Sequence, residues 1–231
     1  GLNFAHDGSA CVVSKGRLLS ALAHERIYRG PDGKKQKKIQ GLSDALIDYV
    51  LEAAGTSLDR IDVVALSNYN ERFVPGLMYV TYNGERFRQS TEDIAFGNDV
   101  LEMELHYRGS VLPAYAPSHH MMHCAAAYYT SPYQSAACIS MDASGCSVAS
   151  NGLLTVGNGS RLNAVAGPRC MIGFAYGQFC QRLGLGSQIF KAGSLMALAG
   201  YGEVLQQDRQ NVGSLVAESF FEQGEDYRVW T

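Results

Sequence analysis

The sequence predicts an α/β protein built from a duplicated βββαβα unit. Two apolar, strand-like runs each deliver an aspartate into a Gly/Ser turn: "GLNFA" runs into "HDGSA" with Asp7, and "ACISM" runs into "DASGC" with Asp142. Each turn is followed by strand, tight turn and strand, and then by helix and strand material. A length of 231 residues with 46% hydrophobic content gives ample apolar material for a core.

In the first unit, "GLNFA" reads as the second half of a strand. "ACVVS" and "RLLSALAHE" read as two more, joined by a hairpin turn at Lys15-Gly16. A long polar loop covers 28–41. The stretch "SDALIDYVLEAAG" places Leu46, Ile47, Val50 and Leu51 on one side of a helix, with Ser43 as N-cap and Gly55 as stop. "IDVVALS" is a continuous β-branched run typical of a buried strand. Residues 68–110, rich in Tyr, Asn, Arg and Glu, read as an irregular insertion with some helix around 99–107. "SVLPAYA" is a short strand leading to Ser118.

The second unit opens with a helix over 119–130. "SAACISMDASG" is a strand ending in a turn, and "CSVASNGLLTVGNGSRLNAVAG" gives two strands joined at "GNGS". Helices are expected over about 173–183 and 193–201. This layout is that of the RNase H-like, actin/sugar-kinase superfamily, in which the two aspartate turns face each other across a cleft. The expected division is 1–117 and 118–231, the second subdomain incomplete. Gly1 opens inside a strand and "YRVWT" carries no stop signal, so part of the working protein is expected outside this chain.

Composition narrows the function classes. A net charge of −3 gives no nucleic-acid footprint, and the basic run "GKKQKK" reads as a solvated loop. No apolar stretch approaches the roughly 20 residues that span a bilayer, and no secretory leader is readable. Six cysteines without a CxxC pair suggest packed thiols in a reducing, cytoplasmic setting.

Half of the six histidines fall in "SHHMMHCAAAYYTSPY". On a helix, residues i and i+4 stand about 40° apart. His119 and His123 therefore present two imidazoles to one point, and His120 faces elsewhere. The plain alternative is a pair of capping or surface rings. Asp142, at a strand end where α/β sheets gather ligands, tips the balance. Two histidines and a carboxylate form a facial set that suits Fe(II) and leaves positions open, with zinc and manganese as further candidates. The alternative for Asp142 is a turn-former before Ser144-Gly145.

Other stretches carry weaker signals. In "HDGSA", Gly8 and Ser9 can turn backbone N–H groups toward an anion, and His6 and Asp7 can take or relay a proton. Such a pair is more often structural. Gly145 of the second turn joins Gly8 and Ser9 as a candidate substrate contact. In "HERIYR", Arg26 and Arg29 could clamp a carbamoyl or phosphate oxygen, although a surface salt-bridge patch is the plainer reading. The small residues of "KAGSLMALAGYGE" suit helix packing at least as well as ligand approach. No P-loop, GxSxG or GxGxxG is present. Cys124 reads as a packed thiol.

Together these stretches resemble the O-carbamoyltransferases of antibiotic and nodulation-factor biosynthesis, the NodU/CmcH type. The resemblance runs in order through "GLNFAHDGSACVV", "ALAHERIYR", "HHMMHCAAAYYTSPY", "SMDASG", "GFAYGQFCQRLGL" and "LMALAGYGE". It implies a Kae1-like fold with iron held by His119, His123 and Asp142. A further aspartate would come from beyond position 231. His6 would act in the transfer site with Asp7 beside it. It also implies a YrdC-like domain that makes carbamoyl-adenylate from carbamoyl phosphate and ATP, and a small-molecule hydroxyl acceptor. Two departures stand out: Ser194 replaces the family's lysine, and Ala143 replaces a glycine. The competing readings are a non-catalytic nucleotide-fold module that binds a partner, and a metallohydrolase using the same histidines.

Overall fold

A computed structural model of the chain describes residues 1–5, 8–27, 41–91, 98–142, 152–167, 179–186, 188–203, 206–207 and 228–229. It divides into two units, Gly1–Met122 and His123–Thr231.

The first unit is built on an eight-stranded mixed sheet. Strands β1 (Leu2–Asn3), β2 (Ser9–Ser14) and β3 (Arg17–Ala23) form an antiparallel meander, and β4 (Val64–Ser67) lies parallel to β1 on its other side. The chain continues through β5 (Tyr79–Tyr82), β6 (Glu85–Phe87), β7 (Val100–Tyr107) and β8 (Ser110–Pro117), giving the order β3-β2-β1-β4-β8-β7-β5-β6. Three two-residue turns, Lys15-Gly16, Asn83-Gly84 and Arg108-Gly109, have both residues at positive φ. Such turns match the right-handed twist of their flanking strands.

Helix α1 (Asp44–Ala53) covers one face of this sheet. Ser43 caps it by accepting from Leu46 N at 3.2 Å, and Leu46, Ile47 and Val50 point inward. Ser20 on β3 donates to the Val50 carbonyl at 2.6 Å. Phe4, Leu46, Leu66, Tyr69, Val80 and Leu105 are among the most buried side chains of this core. Each is worth about 1.5–3 kcal/mol of burial.

Residues 100–107 are a strand, which corrects the expectation of helix around 99–107. Leu101, Met103, Leu105 and Tyr107 are buried while Val100, Glu102 and Glu104 are exposed, a period of two. The segment 68–110 is thus less irregular than expected: it adds β5, β6 and β7 to the sheet beyond β8. Phe73, near the start of this segment, backs onto Gly41, which in turn backs onto Gly8. Gly8 and Gly41 cross with no side chain between them, because a Cβ on Gly8 would run into the Gly41 carbonyl oxygen. A Cβ on Gly41, at φ +83°, would lie 2.5 Å from the Phe73 carbonyl oxygen. Buried His24 closes the crossing: its N–H donates to Gly8 O at 2.7 Å, and its Nδ1 lies 3.2 Å from Gly41 O.

In the second unit, β9 (Ser135–Met141), β10 (Gly152–Asn158) and β11 (Arg161–Gly167) form a second antiparallel meander, with β12 (Arg228–Val229) beside β11. Helix α3 (Gln188–Ala199) begins earlier than the expected 193 and ends two residues short of 201. Residues 179–182 are helical, while 173–178 of the expected helix fall outside the described residues. Helix α2 (His119–Tyr129) lies between β8 and β9 in the chain.

Candidate metal centre

Helix α2 starts where the sequence places it. Ser118 is buried, its Oγ accepts from Met121 N at 3.3 Å, and its carbonyl accepts from Met122 N at 3.0 Å. This is N-cap geometry. His120, Met121, Cys124 and Tyr128 form the buried stripe of the helix. Cys124 Sγ approaches the Leu153 carbonyl of β10 at 3.6 Å, which bears out its reading as a packed thiol. Tyr128 reaches the carbonyls of Gln134 at 2.7 Å and Gly159 at 3.0 Å through its hydroxyl. Its ring lies against Gly157, where a Cβ would stand 2.5 Å from ring carbons. The helix is therefore seated on β10 by contact that admits no side chain at 157.

This seating leaves His119 and His123 beside the buried stripe. Asp142 follows the last residue of β9 directly. His123 Nε2 lies 3.7 Å from Asp142 Oδ2. The ligand atoms offered by His119, His123 and Asp142 all lie within 4.8 Å of one another. Two bonds of about 2.1 Å to one ion span at most about 4.2 Å, so small side-chain rotations close the set. His119 and Asp142 are half-buried and His123 is exposed, which leaves one side of the centre open. The donor chemistry, two imidazoles and a carboxylate, fits a divalent transition metal.

His119 has a neighbour that the sequence did not point out. Its Nδ1 lies 3.2 Å from Oδ1 of Asn68, the residue after β4. Asn68 belongs to no motif. Its only sequence signal is its place after the apolar run "VVALS", at the strand end where α/β sheets present polar groups.

The remaining candidate residues are spread more widely. Ser9 opens β2 and lines an open cavity of about 460 Å³ on the sheet face, together with Asn3, Cys11, Ser67, Pro117 and Met122 of α2. Gly8 holds the backbone crossing. Arg26 is largely exposed and pairs with its neighbour Glu25 at 3.4 Å. Ser194 is exposed on α3. His6, Asp7, Arg29, Ala143 and Gly145 lie outside the described residues.

The protein is thus of the mixed α/β class, with its candidate donor set at a strand end, the place where ligands gather in such sheets. Residues 1–231 match the family described as Carbamoyltransferase N-terminus, and the chain belongs to that family. It is similar to the nodulation protein NolNO of Sinorhizobium fredii (strain NBRC 101917 / NGR234), with 28% identity over 212 residues. That alignment covers 87% of this chain and 28% of the relative, so the chain spans under a third of the relative's length.

Proposed function

We propose that this chain supplies the metal-binding transfer half of an O-carbamoyltransferase. It would move a carbamoyl group from carbamoyl-adenylate to a hydroxyl of a small natural product. The observation that carries the reading is the convergence of His119, His123 and Asp142 within 4.8 Å, in a chain of the carbamoyltransferase family. The two antiparallel meanders, β1–β3 and β9–β11, support the duplicated RNase H-like arrangement expected of it.

The roles follow from chemistry and position. A divalent metal, with Fe(II) favoured by the donor set, would supply Lewis acidity toward a carbonyl or phosphate oxygen. His119, His123 and Asp142 would hold it, with His123 the exposed member of the set. The N–H groups around Gly8 and Ser9 bind an anionic oxygen of the donor. His6, alone or relayed by Asp7, accepts the proton of the attacking hydroxyl. The hydroxyl oxygen bonds to the carbamoyl carbon, the bond to the adenylate oxygen breaks, and AMP leaves. Carbamoyl phosphate and ATP are the sources of the adenylate, which a YrdC-like domain would make. The described cysteines Cys11, Cys124, Cys138 and Cys180 are free, which suits a cytoplasmic setting. Among the described residues, no helix is long and apolar enough to cross a membrane.

The test is metal content and transfer measured together. His119→Ala and His123→Ala should each abolish bound metal in the purified chain. Each should also abolish carbamoyl transfer from carbamoyl phosphate and ATP to hydroxyl acceptors, assayed with the YrdC-like activity present. Transfer that persists in metal-free protein rules the reading out.

A further inference from the structure

We infer that Asn68 is a positioning residue for the metal centre: it fixes the tautomer and ring orientation of His119, so that Nε2 faces the ion. The inference rests on the metal reading of the preceding section and adds a residue to it.

The argument begins with the hydrogen bond. A carboxamide oxygen only accepts, so the 3.2 Å contact between Asn68 Oδ1 and His119 Nδ1 requires Nδ1 to carry the proton. The lone pair is then on Nε2. Metal-ligating histidines are generally oriented in this way, by a second group on the nitrogen that does not bind the ion.

The backbone makes the same point independently. Asn68 has φ +52°, in the left-handed region. Only glycine enters it without strain, and asparagine and aspartate follow because their short polar side chains tolerate it. Of these three, glycine has no acceptor. The residue found is therefore one of the two that satisfy both the backbone and the imidazole.

The position is also stiff. On one side, Ser67 is the last residue of β4, and its carbonyl accepts from Phe4 N at 3.1 Å. On the other side, Tyr69 is fully buried. Its ring packs edge-on against Phe4 at 5.3 Å, its hydroxyl accepts from Val80 N at 3.2 Å, and its carbonyl accepts from Thr91 N at 3.0 Å. Asn68 is held between two anchored neighbours, so its carboxamide has little freedom to follow a ring that turns away.

Asn68→Gly is the clean deletion, because glycine keeps the left-handed backbone and removes only the acceptor. Asn68→Asp keeps both. Two measurements test the inference. The first is nitrogen-15 NMR of the His119 ring in the metal-free chain, about two pH units above the ordinary histidine pKa of about 6.5. Wild type and Asn68→Asp should show the proton on Nδ1, and Asn68→Gly should lose that preference. The second is the dissociation constant for Co(II), followed by its visible absorption. Asn68→Gly should bind about 10–100-fold more weakly, and Asn68→Asp should stay within a few-fold of wild type. Urea midpoints of the variants control for folding. Equal Co(II) affinity in Asn68→Gly, or an unchanged His119 tautomer, overturns the inference. A wild-type chain that takes up no metal ends the metal reading instead, and the tautomer measured without metal still decides the ring orientation.

Discussion

Tyr69 shows how a single side chain links the core to the solution pH. Burial pushes its hydroxyl from the ordinary 10.0 up to about 12, against the opposing effect of the Val80 N–H it accepts. The folded state thus holds this proton more tightly than the unfolded state. The stabilising contribution is complete below pH 10 and is lost as pH rises through about 12. Tyr107 shifts the same way, through burial and its hydrogen bond to Asp44. Urea unfolding followed from pH 9 to 12 should show a steep fall in stability, and Tyr69→Phe should flatten part of it. Asp48 works at the opposite end. Its bidentate pairing with Arg108 holds its carboxyl below the usual range, so that small surface contribution disappears only in acid.

At the scale of elements, helix α2 depends on its seat against β10. Gly157→Ala places a methyl group 2.5 Å from the Tyr128 ring, so ring or strand must shift. Overpacking of this kind costs about 1–3 kcal/mol, which urea midpoints of the variant should register without loss of helix by circular dichroism. The helix itself was legible in the sequence, from the i, i+4 histidines and the small-residue run after them, and so was the strand that delivers Asp142. Helix α1 was legible for a similar reason: Ser43 and the Leu46, Ile47, Val50 spacing agree with each other. Strand β7 was misread. Its glutamates and "LEMEL" favour helix locally, and the alternation of buried and exposed residues that makes it a strand is decided by pairing with β5 and β8. The Asn83-Gly84 pair was the missed clue, since Asn-Gly between apolar runs is a strong hairpin signal. Asn68 was invisible because its partner lies 51 residues away, and no local pattern encodes that meeting.

For the molecule as a whole, a bound cation is a stability term as well as a chemical one. A ligand that binds only the folded state stabilises it in proportion to the logarithm of its excess over Kd, about 2.7 kcal/mol at a hundredfold excess. Adding Co(II) or Fe(II) to the chain should therefore raise Tm in a concentration-dependent way. The same addition to His119→Ala should leave Tm unchanged, and scanning calorimetry of both proteins makes the comparison.

Bare peptide meets bare peptide where Gly8, Gly41 and Phe73 stack, with no flexible side chain in the pile to act as a cushion. A change that nudges Phe73, at the root of the three added strands, has only stiff main chain through which to dissipate before it arrives at Gly8. Sequence drift in those outer strands is thereby mechanically geared to the backbone at Gly8, so the periphery of the sheet and its first meander are not free to diverge independently.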